Sequence, residues 1–120
     1  MQLLSRLLLS SLVAVLLSVP LAGMAFAHTM STNGCSSGTV CMYTDDGYAS
    51  GSSEHHWYQY GCVNLSNEYG DRYIFNNQTG GASVTIYTGY NCTNPSHTIA
   101  AGTTWEGDIT PINSISLDQP

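Results

Sequence analysis

The sequence contains almost no positive charge. It has no lysine and only two arginines against eight acidic residues, which gives a formal net charge of −6 at pH 7. Because Arg6 lies in a segment that we predict to be removed on export, Arg72 is the single cationic side chain expected in the mature protein. Binding to nucleic acids or anionic membranes through phosphate groups needs several cationic contacts. The composition therefore excludes nucleic acid as a partner, and a membrane once the export signal is gone.

The sequence also lacks the arrangements that would indicate catalysis. Its histidines and serines are not spaced as a recognisable triad, and the adjacent acids Asp45 and Asp46 are typical of a solvated turn. Export would expose His28 as the amino terminus, and a terminal histidine can chelate copper, as in secreted copper oxygenases that attack polysaccharides. Those enzymes need a second histidine facing the first and a larger fold. We therefore predict that the protein is not an enzyme.

Residues 1–27 have the pattern of a secretory signal peptide. Arg6 precedes a long apolar run, and Ala-Phe-Ala at 25–27 supplies the small residues that signal peptidase reads. A membrane anchor is the alternative, but Pro20 breaks the apolar run and no charged stop-transfer segment follows. We predict a secreted protein that is cleaved after Ala27.

The mature chain contains four cysteines, an even number that in an exported protein normally forms disulfides. A zinc site is the alternative, but the C-x5-C spacing does not suit a zinc knuckle. Four cysteines allow three pairings. Because Cys35 and Cys41 are close enough to close a small loop, we predict a Cys35–Cys41 bridge together with Cys62–Cys92.

The mature chain divides into a flexible N-terminal lead at 28–34 and a single domain at 35–120. From Gly34 onward there is no apolar helical stripe of useful length, and short runs of β-branched and aromatic residues are separated by Gly, Asn and Ser. This pattern predicts an all-β sandwich. The candidate strands are Thr39–Thr44, His56–Tyr60, Arg72–Asn76, Ser83–Thr88, Ser96–Ala100 and Ile112–Leu117.

Parts of the sequence occur twice. VCMYTDD at 40–46 and VTIYTGY at 84–90 share valine, tyrosine and threonine at equivalent positions, and Asn-Leu-Ser at 64–66 is answered by Asp-Ile-Thr at 108–110 with the same offset. Beyond that point the offset shortens by two, which matches Tyr73 with Ile115. We predict two repeated motifs of four strands each.

Two segments resemble a known family. CSSGTVCMYTDD at 35–46 and GDRYIFNN at 70–77 resemble landmarks of secreted actinobacterial peptidase inhibitors of the Streptomyces metalloproteinase-inhibitor type. Members of that family open with Cys-Pro-Ser-Gly-aromatic-x-Cys-Leu-Tyr and acidic residues, and later carry Asp-Arg before a strand that ends in Asn-Asn. The resemblance extends to about residue 117. It implies a βγ-crystallin-like Greek-key sandwich, braced by two disulfides, that inhibits an extracellular peptidase.

Some βγ-crystallin domains bind calcium, but this sequence departs from their ligand pattern. Asp71 is followed by Ile74 and Phe75 where hydroxyl side chains are needed, and the serines at 114–116 have no acidic pair before them. Calcium requires a full set of oxygen ligands. We predict no tight calcium site and no cofactor.

The segment EHHWYQYGC at 54–62 is the most unusual in the sequence. Adjacent histidines in a strand point to opposite faces, so His55 and His56 cannot share one metal ion. Core packing accounts for some of the aromatic residues, and those that point outward would form a rigid contact surface, since Tyr and Trp dominate binding hot spots. The predicted partner-binding residues are Tyr48, His55, Trp57 and Tyr58.

The predicted function is therefore a secreted, non-enzymatic protein-binding domain that inhibits an extracellular peptidase. A trypsin-type enzyme would require a displayed cation, and Arg72 is expected to be tied to Asp71 or to a neighbouring carboxylate. An apolar or aromatic loop suits a metalloprotease of the thermolysin type better. The alternatives are an adaptor or recognition subunit of a secreted antagonistic toxin assembly and a killer-toxin-like antimicrobial protein.

Overall fold

A computed structural model describes residues 32–120 of the 120-residue chain. The predicted signal peptide at 1–27 and residues 28–31 of the predicted lead lie outside the described residues. Within residues 32–120, no helix combines the length and apolar character needed to cross a bilayer. The described elements are β1 (Val40–Tyr43), α1 (Asp45–Ser50), β2 (His55–Trp57), β3 (Gly61–Asn64), β4 (Asp71–Asn76), β5 (Ser83–Tyr87), β6 (Pro95–Ile99), β7 (Thr104–Asp108) and β8 (Ser114–Asp118).

The eight strands form two antiparallel sheets of four strands, which confirms the all-β prediction. The first sheet has the order β2-β1-β4-β7 and the second has the order β3-β8-β5-β6. Each half of the chain, β1–β4 and β5–β8, therefore places its third strand in the sheet of the other half. Exchanging the two halves converts one strand order into the other, so the halves are topologically equivalent.

The strand registers correct one part of the repeat alignment. Met42 lies opposite Ile74 in the first sheet, and Ile86 lies opposite Ile115 in the second. Ile74 therefore corresponds to Ile115, and the predicted match of Tyr73 with Ile115 was wrong by one residue. A shift of one residue moves a side chain to the other face of a sheet. An alignment based on apolar residues cannot detect this one-residue error, because Tyr73 and Ile74 are both largely apolar and either could be matched with Ile115.

The main core fills the space between the two sheets. Strand side chains alternate between faces, and the inward positions are occupied by β-branched and other apolar residues. Trp57, Val63 and Trp105 pack against its margins. Its buried members are Val40, Met42, Leu65, Ile74, Val84, Ile86, Ile99, Ile109, Ile112, Ile115 and Leu117.

The structure explains why the segments at 64–66 and 108–110 are similar in sequence. Their central residues, Leu65 and Ile109, are both buried in the main core, where each closes the sandwich after an edge strand. In the second copy, hydrogen bonds from Thr110 lower the pKa of the Asp108 carboxyl. The backbone N–H of Thr110 donates to Asp108 Oδ1 at 2.9 Å, which fixes the turn.

Sequence patterns did not predict helix α1. Thr44 caps its N-terminus by accepting a hydrogen bond from Gly47 N at 3.1 Å, and Gly51 ends it in the left-handed conformation with φ of 72°. The helix has six residues, which is too short to show an amphipathic stripe. The capping residues at 44 and 51 were the available signal.

Two strands were also missed, and one was placed incorrectly. Strands β3 and β7 are mostly exposed and each contains a glycine, so neither shows a run of β-branched residues. The strand predicted at His56–Tyr60 is observed at His55–Trp57, and residues 58–60 form a loop.

Both predicted disulfides are confirmed. Cys35–Cys41 and Cys62–Cys92 have Cα–Cα distances of 5.9 and 6.0 Å, and the described residues contain no free cysteine. The first bridge is buried and holds the chain before β1 against that strand. The second connects β3 to the loop after β5, so it ties the two halves together.

Candidate functional site

The loop at 58–60 presents the most exposed aromatic side chain of the segment singled out above. Tyr58 is 67% exposed and Tyr60 is 49% exposed. The loop connects β2, an edge strand of the first sheet, to β3, an edge strand of the second. We call residues 58–60 the aromatic loop.

The aromatic loop is held firmly at both ends. Before it, the half-buried Trp57 packs against the main core. After it, Gly61 turns the chain into β3 with φ of 125°, a value that side-chain-bearing residues rarely adopt, and Cys62 is fixed by its disulfide to Cys92. A short loop anchored in this way presents its side chains with little freedom left to lose on binding.

The structure brings together three of the four predicted contact residues. His55 and Trp57 point to the same side of β2 and stack, with ring centroids 5.7 Å apart and planes at 15°. Tyr58 follows directly in the aromatic loop, and a shallow pocket opens beside it, lined by His56, Trp57, Tyr58, Gln59 and Val63.

Tyr48 lies elsewhere, on the outer face of the first sheet. It stacks on Tyr73 with ring centroids 4.3 Å apart and planes at 8°, and it meets Tyr43 edge-on at 5.5 Å. These tyrosines belong to a second apolar cluster with the Cys35–Cys41 bridge and Phe75, which we call the outer cluster. The binding roles of all four residues remain predictions.

Two tyrosines of the outer cluster have perturbed acidities. Burial raises the pKa of Tyr43, whose hydroxyl donates to the carbonyl oxygen of Asn33 at 2.9 Å. The Tyr73 hydroxyl donates to Glu106 Oε1 at 3.1 Å, and this hydrogen bond raises the pKa of Tyr73. Both groups are therefore uncharged hydrogen-bond donors at neutral pH.

The described part of the predicted N-terminal lead is packed against the domain. Thr32 and Cys35 exchange backbone hydrogen bonds of 3.0 and 2.9 Å around a tight turn. Gly34 sits in that turn with φ of 72°, and a Cβ at this position would lie 1.9 Å from the carbonyl oxygen of Gly51. Residues 32–34 therefore pack next to the outer cluster, where the carbonyl oxygen of Asn33 accepts from the Tyr43 hydroxyl.

Four charged or titratable side chains gather beside β2. His55 Nε2 and Glu68 Oε1 form a hydrogen bond of 2.6 Å, and Arg72 Nε donates to Glu54 Oε2 at 3.0 Å. Arg72 Nη2 lies 3.8 Å from Glu68 Oε2, and Nη1 donates to the carbonyl oxygen of Asp71. We call Glu54, His55, Glu68 and Arg72 the edge cluster. The prediction that Arg72 is tied to a neighbouring carboxylate is confirmed.

Register explains why these residues meet. His55 lies opposite Met42, so it points toward the inner side of the first sheet, and Arg72 stands two residues before the core residue Ile74 on the same side of β4. The edge cluster therefore lies where the apolar core gives way to solvent. Sequence analysis missed Glu68, because only the fold brings the loop before β4 next to β2.

The segment Gly34–Gly38 matches the Gly-x-Ser-x-Gly letters of a hydrolase nucleophile elbow. In that elbow the serine stands between a strand and a following helix. Here Ser36 lies in the turn before β1, inside the loop closed by the Cys35–Cys41 bridge. Ser36 and His56 line one shallow pocket, but no hydrogen bond within residues 32–120 joins their side chains. The motif therefore lacks its structural context.

A second pair of exposed tyrosines lies at the other end of the sandwich. Tyr69 is 64% exposed and Tyr90 is 58% exposed, and both line one polar depression. Tyr69 precedes β4, whose Tyr73 lies beside Tyr43 at the end of β1, whereas the aromatic loop follows Trp57 at the beginning of β1. Tyr58 therefore lines one depression, and Tyr69 and Tyr90 line a separate one.

Comparison with known proteins gave no match of any kind: no family model, no curated protein and no solved structure is significantly similar to this chain.

Proposed function

We propose that the protein is a secreted, non-enzymatic inhibitor of an extracellular peptidase and that it binds its target through the aromatic loop. The observation that carries this proposal is the loop itself: two exposed tyrosines stand between a core-packed tryptophan and a disulfide-bonded cysteine. Tyrosine offers a large contact area at a small cost in side-chain entropy, and rigid presentation lowers the cost further.

The proposed architecture is a βγ-crystallin-like Greek-key sandwich of two related motifs. The exchange of β3 and β7 between the sheets supports it, as does the sequence resemblance of residues 35–46 and 70–77 to inhibitors of this type. Export with cleavage after Ala27 completes the proposal. Two disulfides fit an extracellular protein, because such bonds form and persist in oxidising compartments.

The chemistry of the loop favours a particular class of target. Arg72 is engaged by Glu54 and the carbonyl oxygen of Asp71, which leaves no free cation among the described residues for a trypsin-type specificity pocket. Tyr58 and Tyr60 would instead enter an apolar pocket of the kind found in metalloproteases of the thermolysin type. The acidic surface would raise the rate of association with a target that is positively charged around its cleft.

The test is to titrate the purified mature protein against peptidases of the thermolysin, subtilisin and trypsin types and to measure residual activity. We expect inhibition of the first class. Tyr58→Ala and Tyr60→Ala should each weaken inhibition by about 30-fold, which corresponds to ~2 kcal/mol for a binding hot spot. Tyr69→Ala and Tyr90→Ala are matched controls, since these side chains are similarly exposed but lie at the other end. Equal losses in all four variants, or no inhibition of any class, would overturn the proposal.

A second candidate is an adaptor within a secreted assembly. The observation that favours it is the presence of two separate pairs of exposed tyrosines, at the aromatic loop and at Tyr69 with Tyr90, since an adaptor must bind two partners at once. Pull-down from culture supernatant distinguishes the two functions. Recovery of an active peptidase that the protein inhibits supports the inhibitor, whereas recovery of two non-enzymatic proteins, each lost with a different tyrosine pair, supports the adaptor.

A further inference from the structure

Three side chains of the edge cluster are placed to hold a metal ion. Glu54, His55 and Glu68 each offer one ligand atom, and these atoms all lie within 4.8 Å of one another. They come from the residue before β2, the first residue of β2 and the loop before β4. For the histidines, sequence analysis excluded only a metal ion shared by His55 and His56, which point to opposite faces. The present arrangement needs only one of the two histidines.

Glu68 supplies an independent indication that something is bound here. Its side chain is only 8% exposed, and its Oε2 atom is buried with no hydrogen-bond donor among residues 32–120. The nearest cationic atom, Arg72 Nη2, is 3.8 Å away, which is too far for a hydrogen bond. A buried carboxylate oxygen without a donor is costly, and a bound ion or water is among the accepted explanations for such a group. This oxygen belongs to the same carboxylate whose Oε1 meets His55.

We propose that Glu54, His55 and Glu68 form a zinc-binding site. Imidazole nitrogen and carboxylate oxygen are ordinary zinc ligands, and three protein ligands leave one position for water. Calcium is a poorer fit, because it takes six to eight oxygen ligands. This site offers two carboxylates, and its third ligand is an imidazole nitrogen.

The geometry needs only small adjustments. Zinc lies about 2.0–2.2 Å from nitrogen and oxygen ligands, so ligand atoms of a tetrahedral site stand roughly 3.4 Å apart. The 2.6 Å contact between His55 and Glu68 must open, and Glu54 must approach. Glu54 and His55 have side chains 37% and 43% exposed and can move, whereas the buried Glu68 provides a fixed reference.

Arg72 competes with the metal in this arrangement. Its guanidinium is 3.0 Å from Glu54 and 3.8 Å from Glu68, so it now neutralises the carboxylates that zinc would bind. When zinc binds, Arg72 can keep its hydrogen bond to the carbonyl oxygen of Asp71. Removing the charge of Arg72 should therefore strengthen zinc binding, which is the opposite of what a nonspecific loss of structure would do.

The experiment is calorimetric titration of the complete mature chain, residues 28–120, with zinc chloride and separately with calcium chloride. Thermal unfolding is measured in parallel with and without zinc. His55→Gln and Glu68→Gln remove ligands, and His56→Gln is the matched control, since it changes the adjacent histidine on the opposite face. We expect one zinc per chain in the unaltered protein and in His56→Gln. Affinity should fall at least about tenfold in His55→Gln and Glu68→Gln and rise several-fold in Arg72→Gln.

Several results would overturn the site. Retention of full affinity in His55→Gln would place zinc elsewhere, for example at residues 28–31, which contain His28. An equal loss in His56→Gln and His55→Gln would indicate nonspecific histidine binding. No heat of binding and no rise in melting temperature with zinc in the folded, unaltered protein would exclude the site altogether. Far-ultraviolet circular dichroism of each variant shows whether it is folded before its affinity is compared.

Discussion

The outer faces of the two sheets differ much more than their inner faces. On the first sheet the outward residues of β1 and β4 are buried beneath α1 and the turn before β1. On the second sheet the corresponding positions carry mostly hydroxyl groups, and Thr85, Ser114 and Ser116 are buried there as well. The loop after β5 contacts this face, since Cys92 N donates to Ser114 Oγ, which donates to the carbonyl oxygen of Gly89. The outward residues include Cys41, Tyr43, Tyr73 and Phe75 in the first sheet and Thr85, Tyr87, Ser114 and Ser116 in the second.

On the outer face of the second sheet, the polar side chains form hydrogen bonds with one another. Asp118 accepts from Thr85 Oγ1 at 2.8 Å and from Ser116 Oγ at 2.6 Å, and Ser116 Oγ lies 3.0 Å from the Tyr87 hydroxyl. The inner faces, by contrast, are apolar in both halves. The comparison teaches that packing between the sheets fixes only one side of each strand. The other side was free to become a third layer in one half and a polar network in the other.

Removing an aromatic residue from each outer face is the strongest test of this difference. Tyr43→Ala should lower the free energy of unfolding by ~3–5 kcal/mol, because Tyr43 is fully buried in the outer cluster. Tyr87→Ala should cost less than half as much, since Tyr87 is half-buried and loses mainly its contact with Ser116. Urea unfolding of both variants gives the two values, provided the slopes agree. Equal losses would mean that the outer face of the second sheet is packed as tightly around Tyr87 as the outer cluster is around Tyr43.

The disulfides provide the next test. In the chain-entropy description, the Cys62–Cys92 bridge, with a sequence separation of 30, stabilises by roughly 3.5 kcal/mol, whereas Cys35–Cys41, with a separation of 6, stabilises by roughly 2 kcal/mol. We therefore expect replacement of the Cys62–Cys92 pair by alanine to lower the melting temperature more. The reverse ranking would show that packing of the buried Cys35–Cys41 bridge in the outer cluster outweighs loop closure.

Features that depend on a local pattern, or on a choice among few alternatives, could be predicted from the sequence. The strand at Val40 and the disulfides are examples, because β-branched runs indicate strands and four cysteines leave few pairings. The sequence did not predict β3 and β7, whose Gly61 and Gly107 interrupt any run. These strands form because neighbours already in place offer hydrogen bonds.

The candidate site was less predictable than the fold. The exposure of Tyr58 depends on where β2 ends, and β2 ends at Trp57, three residues before the predicted boundary. Glu68 meets His55 only through the tertiary fold. The buried Asn76 is a similar case: its Nδ2 donates to the carbonyl oxygens of Ala82 and Ile99 at 3.1 and 3.0 Å, partners that no local pattern indicates.

A smaller effect is expected from the polar network of the second sheet. Asp118→Asn should lower the free energy of unfolding by ~1–2 kcal/mol, because a charged acceptor of two short hydrogen bonds becomes a weaker one. Asp46→Asn in the first turn of α1 is the control, and there only a few tenths of a kcal/mol should be lost. A loss at Asp118 no larger than at Asp46 would show that the network adds little to stability.

The smallest effect is expected at alkaline pH and concerns the outer face of the first sheet. Burial raises the pKa of Tyr43 above its ordinary value of 10.0, so the uncharged phenol is favoured in the folded state. The resulting stability is fully present below pH 10 and is lost as pH rises through the raised pKa, because the unfolded chain then releases its proton first. The melting temperature should therefore fall more steeply above pH 10 in the unaltered protein than in Tyr43→Phe. Identical slopes in Tyr43→Phe and the unaltered protein would mean that the outer cluster does not exclude water from Tyr43.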